Sequence, residues 1–247
     1  MTSATALAYQ STAKTYIRHH LWTKQSKTAL HGLTLEIRQG EIFGLLGLNG
    51  AGKTTAMKLA LGLLFPSGGA VSVFGHAAGS DQAKNLCGYM PELPYIYSYL
   101  SPRQALEFYG KLSGLHGREL HARVEEVINK VGLEANAAEK LAGFSKGMLQ
   151  RVAIAQAILH KPGLLVLDEP VSGLDPLAVR DFRDLITELN RGGTTVFLSS
   201  HSISQVEKLC HRVGIMKAGR LEKLVEKAQW ESASGGLEQI FVDTVSA

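Results

Sequence analysis

A glycine-rich run at residues 47–55, with the sequence GLNGAGKTT, has the composition of a phosphate-binding loop. It matches the pattern G-x-x-x-x-G-K-[ST], in which glycines let successive backbone N–H groups turn toward a phosphate. The apolar run Ile42–Leu46 predicts a strand before it, and Lys53–Leu64 predicts a helix after it, whose positive end would face the same phosphate. In this pattern Lys53 reaches the β- and γ-phosphates, and the hydroxyl of Thr54 binds Mg²⁺. The residues expected to contact the phosphates are Gly47, Asn49, Gly50, Ala51, Gly52, Lys53, Thr54 and Thr55.

Two carboxylates, Asp168 and Glu169, directly follow the apolar run Leu164–Leu167. A short, wholly apolar run is typical of a buried parallel strand, and ligands of open α/β sheets lie at the carboxyl ends of such strands. Asp168 is therefore positioned to hold Mg²⁺, and Glu169 to polarise a water aimed at a γ-phosphorus. Acidic residues also end strands for solubility alone, but the glycine-rich loop upstream favours the chemical roles.

Strand and helix patterns alternate along the chain. Besides the elements already named, Leu33–Ile37 and Thr194–Leu198 have the composition of strands, whereas Pro176–Asn190 places its apolar residues on one helix face. This alternation predicts an α/β fold with a mostly parallel sheet that is covered on both faces. The block at about 90–160 has mainly helical patterns, which predicts a helical insertion into that core.

The composition argues against several classes of protein. The chain has 247 residues, with 26 Lys and Arg against 22 Asp and Glu, which gives a net charge of +4. These charges are spread without a basic run, so they give little support for nucleic-acid binding. The longest uncharged stretch, Leu59–Ser80, is interrupted at Pro66 and cannot form a spanning helix, so any membrane role requires a partner. Cys87 and Cys210 form no CxxC pair, which favours a reducing compartment, and the nine histidines lack metal-ligand spacing.

The segment Phe144–Arg151, with the sequence FSKGMLQR, resembles the signature motif of ATP-binding-cassette (ABC) ATPases, commonly LSGGQ. It keeps the serine and the second glycine of that motif as Ser145 and Gly147. Ser145 also has the position of an N-cap at the head of a predicted helix over Met148–Leu159, where an anion is favoured. An ordinary N-cap is the alternative, and the LLVLDEP run at 164–170 favours the family.

Four further positions resemble nucleotide-site residues of this family. Asp175, in the segment SGLD, resembles the D-loop aspartate and also has the position of an N-cap. His201 follows a predicted strand, as the family's switch histidine does, where its imidazole would contact the γ-phosphate. Tyr16 resembles the aromatic residue that stacks on adenine, with Trp22 as its rival. Glu92 stands where the family's Q-loop carries glutamine, and its carboxylate would face Mg²⁺ or water.

The resemblance covers nearly the whole chain and implies a P-loop NTPase core with a mostly parallel sheet, a small antiparallel β part and an inserted helical subdomain. It implies one domain over 1–247, with the nucleotide-binding core at about 1–88 and 161–225, the helical subdomain at about 89–160 and a C-terminal tail at about 226–247. ATP and Mg²⁺ are the implied cofactors. The implied catalytic residues are Lys53, Glu169 and His201, and the implied metal ligands are Thr54, Asp168 and Glu92.

The resemblance implies the function of the ATP-hydrolysing subunit of an ABC membrane transporter. Family members with glutamate at the position of Glu92 look like the exporter-type cassettes that pair with a separate permease. Two cassettes would face head to tail, so that Ser145 and Gly147 serve the ATP of the opposite subunit. The permease would dock on the aromatic-rich stretch Leu93–Leu100, and the chain would lie peripherally on the cytoplasmic face of the cell membrane. Two alternatives stay open: a soluble ABC-type ATPase that acts on nucleic acid or ribosomes, and a regulatory cassette with little turnover.

Overall fold

The computed structural model describes residues 4–20 and 23–246. Within these residues the strands, numbered in chain order, are β1 Thr5–His20, β2 Thr23–Arg38, β3 Ile42–Gly47, β4 Gly68–Val73, β5 His76–Ala77, β6 Cys87–Met90, β7 Leu164–Asp168, β8 Thr195–Ser200, β9 Arg212–Lys217 and β10 Arg220–Glu226. The helices are α1 Lys53–Ala60, α2 Asp81–Asn85, α3 Pro102–Leu112, α4 Gly117–Lys130, α5 Lys146–Ile158, α6 Pro176–Arg191, α7 Ile203–Leu209, α8 Lys227–Ser232 and α9 Gly236–Ser246. None of the helices in this part of the chain is long and apolar enough to cross a bilayer.

The described chain divides into two compact units, one formed by the residues up to Lys84 and from Thr195 onward, the other by Asn85–Thr194. In the first unit an antiparallel sheet has the strand order β2-β1-β4-β5, and a second sheet has the order β10-β9-β3-β8. β3 pairs in parallel with both β8 and β9 and is buried at every residue, as continuous apolar runs in parallel sheets are. The predicted α/β class, with parallel strands and a small antiparallel sheet, is confirmed.

The hairpin of β1 and β2 is much longer than the sequence pattern predicts. The predicted strand Leu33–Ile37 is the inner end of a 16-residue β2, which pairs antiparallel with β1 out to His20 opposite Thr23. Leu35 and Ile37 are buried and supply the alternation that is typical of a half-buried strand. Farther out, residues 25–28 are exposed. Because no apolar side chains alternate there, the outer part of β2 carries no strand signal.

Helix α1 ends at Ala60, so the prediction that it continues to Leu64 was wrong. The chain leaves the helix through Gly62, which has a φ of +67° in the left-handed region. The N–H of Leu63 then donates to the carbonyl oxygen of Lys58 at 2.9 Å, which is the long bond of a Schellman motif. The glycine therefore stops the helix, although the residues that follow are apolar.

In the second unit, β6 and β7 pair in parallel. Helices α3, α4 and α5 follow β6 in the chain, in agreement with the predicted helical block. The guanidinium of Arg123, buried on α4, donates to the carbonyl oxygens of Ile158 and Leu159 at 2.6 and 2.8 Å and so joins α4 to the end of α5. A Cβ at Gly88 of β6 would lie 2.1 Å from the carbonyl oxygen of Ala157, so β6 can pack this closely on α5 because residue 88 is glycine.

Candidate functional site

The glycine-rich run leaves the carboxyl end of β3 and enters α1, as predicted. Gly50 and Gly52 have φ values of +82° and +105°, in the left-handed region that favours glycine. Gly52 is the N-cap of α1, and a Cβ there would lie 2.7 Å from the carbonyl oxygen of Ala29. A Cβ at Gly47 would lie 2.7 Å from the carbonyl oxygen of Met216. The backbone of the loop is therefore shaped by positions that only glycine satisfies.

Lys53 is the first residue of α1, and its side chain turns back over the loop. The residue is 6% exposed, and its Nζ donates to the carbonyl oxygen of Gly47 at 2.7 Å. The ammonium group thus lies at the end of β3, beside the N-terminal N–H groups of α1, which carry partial positive charge. Thr54 is exposed and Thr55 is half-buried on the same first turn. This concentration of positive charge favours an anion.

The pairing of β3 with β8 brings His201 to the phosphate loop. The two strands are parallel, and Leu46 lies opposite Ser200 in their register. Gly47 is the last residue of β3 and His201 directly follows β8, so both lie at the same edge of the sheet, where ligands of open α/β sheets bind. His201 is exposed. The first unit therefore places His201 and Lys53 at the ends of neighbouring strands.

Tyr16, on β1, also lies beside the loop. Its ring is partly exposed, and its hydroxyl is 3.3 Å from Oγ1 of Thr55 in the first turn of α1. The Nζ of Lys14 lies 5.5 Å from the centre of the ring. An aromatic face next to the start of α1 is suited to stacking on a planar group. Trp22, the rival for this role, lies outside the described residues.

In the second unit, Asp168 ends β7 and Glu169 follows it, as predicted. They are 4% and 9% exposed. Glu169 has a φ of +48°, a backbone conformation that costs a non-glycine residue about 1–3 kcal/mol, so the surrounding fold must hold this carboxylate in place. On the neighbouring strand β6, the pKa of Tyr89 is raised to about 12, chiefly by burial and further by the negative charge of Asp168. The carboxylate of Asp168 therefore disfavours a negative charge on Tyr89 of the paired strand.

Ser145 is the N-cap of α5, and its Oγ accepts a hydrogen bond from the N–H of Met148 at 3.3 Å. The predicted capping role is confirmed, although α5 begins at Lys146 and not at Met148. A Cβ at Gly147 would lie 3.4 Å from Cδ2 of Leu174, which is ordinary van der Waals contact. The exposed hydroxyl of Ser145 thus marks the positive end of a 13-residue helix.

Asp175 is the N-cap of α6. Its Oδ1 accepts hydrogen bonds from the N–H groups of Leu177 and Ala178, each at 3.0 Å. The bond from Ala178 is the main reason that the pKa of the Asp175 carboxyl lies below its ordinary value. The capping alternative is confirmed, and the exposed carboxylate is still open to a ligand.

Glu92 is exposed in the loop between β6 and α3, and the same region carries a cluster of aromatic side chains. The ring of Tyr97 lies 5.6 Å from that of Tyr99 and 6.1 Å from that of Phe108, measured between ring centres. Tyr95 is 89% exposed. We call Tyr95, Tyr97, Tyr99 and Phe108 the aromatic patch. Exposed apolar surface of this kind is typical of a binding surface for another molecule.

Gln150, in the signature segment, has a property that its position in the motif does not predict. It is 1% exposed, although its side chain is polar. The available signal was its spacing, because Gln150 lies three residues after Gly147 and four before the buried Ile154, on a helix face that points inward.

The known proteins that this chain is similar to are ATP-binding proteins of ABC transporters. Residues 30–172, more than half of the chain, match the family model described as ABC transporter. An ABC transporter ATP-binding protein of Nostoc sp. is 44% identical over 83% of this chain and 62% of its own length. The bacitracin transport ATP-binding protein of Bacillus licheniformis is 39% identical over 79% of this chain and 64% of its own length. The linearmycin resistance ATP-binding protein of Bacillus subtilis is 38% identical over 85% of this chain and 68% of its own length. The chain spans less than two thirds of the length of the first two relatives.

Solved structures agree with the sequence comparison. The structure of an ATP-binding subunit of an ABC transporter has a TM-score of 0.83 and 29% sequence identity, and covers 97% of this chain and 99% of that one. The cbiO1 protein of Clostridium perfringens, described as part of the ABC transporter complex cbiONQ, has a TM-score of 0.81 and 26% identity over 96% and 95% of the two chains. By sequence and by fold, this chain belongs to the ABC transporter family.

Proposed function

We propose that this chain binds ATP and hydrolyses it as the motor subunit of a membrane exporter. The observation that carries the proposal is the geometry of the phosphate loop. There, left-handed Gly50 and Gly52, the buried ammonium of Lys53 and the N-terminus of α1 converge at the carboxyl end of β3. Membership of the ABC transporter family supports a nucleoside triphosphate as the anion. The names of two relatives, which refer to bacitracin transport and linearmycin resistance, support an exporter.

In this proposal the loop holds the triphosphate and Tyr16 holds the base. The N–H groups of residues 47–55 and the ammonium of Lys53 bind the β- and γ-phosphates, because both present positive charge at one place. The ring of Tyr16 stacks on adenine. Two observations support this role: the ring is partly exposed, and its hydroxyl lies 3.3 Å from Oγ1 of Thr55 in the phosphate loop.

The proposed metal ligands are oxygen donors of the kind that Mg²⁺ prefers. Thr54 offers an exposed hydroxyl on the first turn of α1, and Asp168 and Glu92 offer carboxylates. When bound, Mg²⁺ neutralises charge on the phosphate oxygens. Glu169 accepts the proton of the attacking water as the water oxygen bonds to the γ-phosphorus and the bond to the leaving ADP oxygen breaks. His201 contacts the γ-phosphate at the end of β8.

We place the signature segment against the nucleotide of a second cassette. Ser145 and Gly147 lie at the positive end of α5, which supports contact with a phosphate. The exposed Asp175 stands at the start of α6 and would face the same interface. In this arrangement ATP favours the closed pair, because its contacts to both cassettes exist only when they are together.

The variant Glu169→Gln tests the catalytic assignment. Glutamine keeps the size of the side chain but cannot accept the proton, so we expect ATP binding to be retained and hydrolysis to fall by about 10²–10⁴-fold. Nucleotide binding and phosphate release are measured on the full chain. Glu139→Gln, which changes an exposed carboxylate of the same unit, should leave both unchanged. A wild-type turnover number in Glu169→Gln would contradict the assignment.

We propose that the aromatic patch docks on an integral membrane permease, which would hold the chain peripherally on the cytoplasmic face of the membrane. Exposed aromatic side chains are enriched at the centres of protein interfaces. The description of cbiO1 as part of a transporter complex supports a multi-subunit assembly.

A pull-down of the tagged chain from detergent-solubilised native membranes tests this docking surface. We expect an integral membrane protein to co-elute and to be lost from the double variant Tyr95→Ser/Tyr97→Ser. Phe65→Ser, which changes a 74% exposed side chain of the first unit, is the control that should retain the partner. Recovery of the wild-type chain from the soluble fraction alone would contradict the proposed partner.

A further inference from the structure

The net positive charge of this chain is confined to its N-terminal segment. Residues 1–35 contain four Lys and Arg and no Asp or Glu, whereas the remaining 212 residues contain 22 basic and 22 acidic residues. The net charge of +4 therefore arises entirely from the first 35 residues. Such an imbalance between parts of a chain is typical of proteins that bind a nucleic acid or a membrane. The four basic residues are Lys14, Arg18, Lys24 and Lys27.

All four basic residues lie on the outer part of the hairpin of β1 and β2. Within the described residues, β4 accompanies β1 as far as Ala13, whereas β1 and β2 stay paired out to His20 opposite Thr23. Residues 14–20 and 23–28, which we call the hairpin arm, therefore form a two-stranded ribbon that projects beyond the larger sheet. The fold thus gathers the whole net charge of the chain on one projecting element.

The hairpin arm is exposed and is held mainly at its base. Ile17 is 51% exposed, and residues 25–28 of the facing strand are exposed as well. At the base, Nζ of Lys14 donates to the carbonyl oxygen of Phe65 at 2.8 Å. An isolated two-stranded hairpin is at best marginally stable in water. A surface that covers the arm would therefore stabilise it.

Basic residues together with an exposed aliphatic side chain match the surface of an anionic lipid bilayer. Lysine and arginine are attracted to the negative potential of the cytoplasmic leaflet, and an apolar side chain such as Ile17 enters the boundary between headgroups and acyl chains. A nucleic acid offers phosphate charges but no apolar layer for Ile17. The proposed function, in which the chain works at a membrane, also favours lipid as the partner.

We propose that the hairpin arm binds the anionic lipid headgroups of the membrane that holds the permease. The choice of a membrane as the partner rests on the proposed function, but the contact itself is between the arm and lipid and requires no second protein. Each lysine or arginine near an anionic bilayer strengthens binding by about 5-fold, and this attraction falls off within a Debye length. The arm therefore attaches the chain reversibly and releases it when salt screens the charges.

Co-sedimentation of the full chain with lipid vesicles tests the inference without the permease. The vesicles contain phosphatidylcholine alone, or phosphatidylcholine with phosphatidylglycerol as the anionic lipid. We expect the wild type to bind the anionic vesicles and to be released as the salt concentration rises. Lys24→Gln/Lys27→Gln removes two of the four charges, so it should bind about 30-fold more weakly. Arg220→Gln/Lys223→Gln removes two exposed charges from β10 of the same unit and is the matched control, which should bind almost as well as the wild type.

Ile17→Ser separates a bilayer from other polyanions. It should weaken binding to the anionic vesicles by about 3- to 10-fold, because an aliphatic side chain that is half exposed in water no longer enters the bilayer. An unchanged affinity for the vesicles in Ile17→Ser would overturn the inference. Binding of the wild type to a single-stranded RNA oligonucleotide that persists at the salt concentration that releases the vesicles would overturn it in favour of a nucleic acid.

Two other results would also overturn the inference: equal binding of the wild type to neutral and anionic vesicles, or an equal loss of binding in Lys24→Gln/Lys27→Gln and in the control variant. Circular dichroism of each variant shows that lost binding is not lost folding. Phosphate release by the wild type and by Glu169→Gln is measured on the same preparations. Wild-type turnover in Glu169→Gln with charge-dependent vesicle binding intact refutes the proposed function alone, and lost turnover with equal binding to both vesicles refutes this inference alone.

Discussion

Replacing Arg212 by methionine is expected to destabilise the first unit by about 3–5 kcal/mol, because Glu41 would be left as a buried charge without its partner. Nε of Arg212 donates to Oε1 of Glu41 at 2.7 Å, and Nη2 donates to Oε2 at 3.0 Å. Arg212 is 8% exposed and Glu41 is 5% exposed. Nη2 also donates to the carbonyl oxygen of Glu36 at 2.5 Å. The pair joins the start of β3, the strand that carries the phosphate loop, to β9.

Urea unfolding followed by circular dichroism measures this effect. With a denaturant dependence of about 3 kcal/mol per molar, the expected loss moves the midpoint of the transition by roughly 1–2 M. Arg38→Met is the matched control, because Arg38 and Glu226 form an ion pair at 3.1 Å whose side chains are 50% and 47% exposed. An exposed pair contributes about 0–1 kcal/mol, so its midpoint should barely move.

The double variant Glu41→Leu/Arg212→Met shows whether the lost stability comes from leaving Glu41 as an unpaired buried charge. Removing both charges leaves no unpaired charge, although the N–H of Arg38 and the carbonyl oxygen of Glu36 lose their side-chain partners, so the double variant should recover part of the stability lost in Arg212→Met. A loss below about 1 kcal/mol in Arg212→Met would refute the reasoning. A double variant less stable than Arg212→Met alone would refute it equally.

Two further outcomes follow from close packing and burial in the second unit. Gly88→Ala should lower the free energy of unfolding by more than about 2 kcal/mol, because its Cβ would lie 2.1 Å from the carbonyl oxygen of Ala157. In the control Gly143→Ala, the Cβ meets open space in the described part of the chain, so the free energy of unfolding should stay within about 0.5 kcal/mol of the wild type. Equal urea midpoints for the two variants would contradict this expectation. Burial lowers the pKa of His160 in the folded state below its ordinary value of 6.5, so the unfolded state takes up a proton more readily. The stability that the neutral histidine contributes is therefore complete above pH 6.5 and is lost as the pH falls toward the folded-state pKa. His160→Gln should therefore lose less stability than the wild type between pH 7.5 and 5.5, and identical pH dependence of the two urea midpoints would show that another group is responsible.

Much of the candidate site could be predicted because its determinants are neighbours in the chain. The phosphate loop consists of consecutive residues, and the conformational freedom of Gly50 and Gly52 together with the charge of Lys53 defines it without reference to the rest of the fold. Ser145 and Asp175 could be predicted as N-caps for the same reason, since a cap bonds to an N–H two or three residues ahead. The end of α1 was also signalled locally, by Gly62, but the apolar residues after it hid the signal.

The sequence by itself determined the α/β class, the phosphate loop, the carboxylate pair and the helix caps, all of which depend on residue type and short spacing. The tertiary structure decided the rest. The register of β3 and β8 puts His201 at the same sheet edge as Gly47, the hairpin brings Tyr16 to Thr55, and long-range packing leaves the amide of Gln150 without a hydrogen-bond partner among the described residues. The physical reason is that a contact between distant residues, or a missing partner for a buried one, depends on which other segments fold against it, and spacing along one chain does not specify those segments.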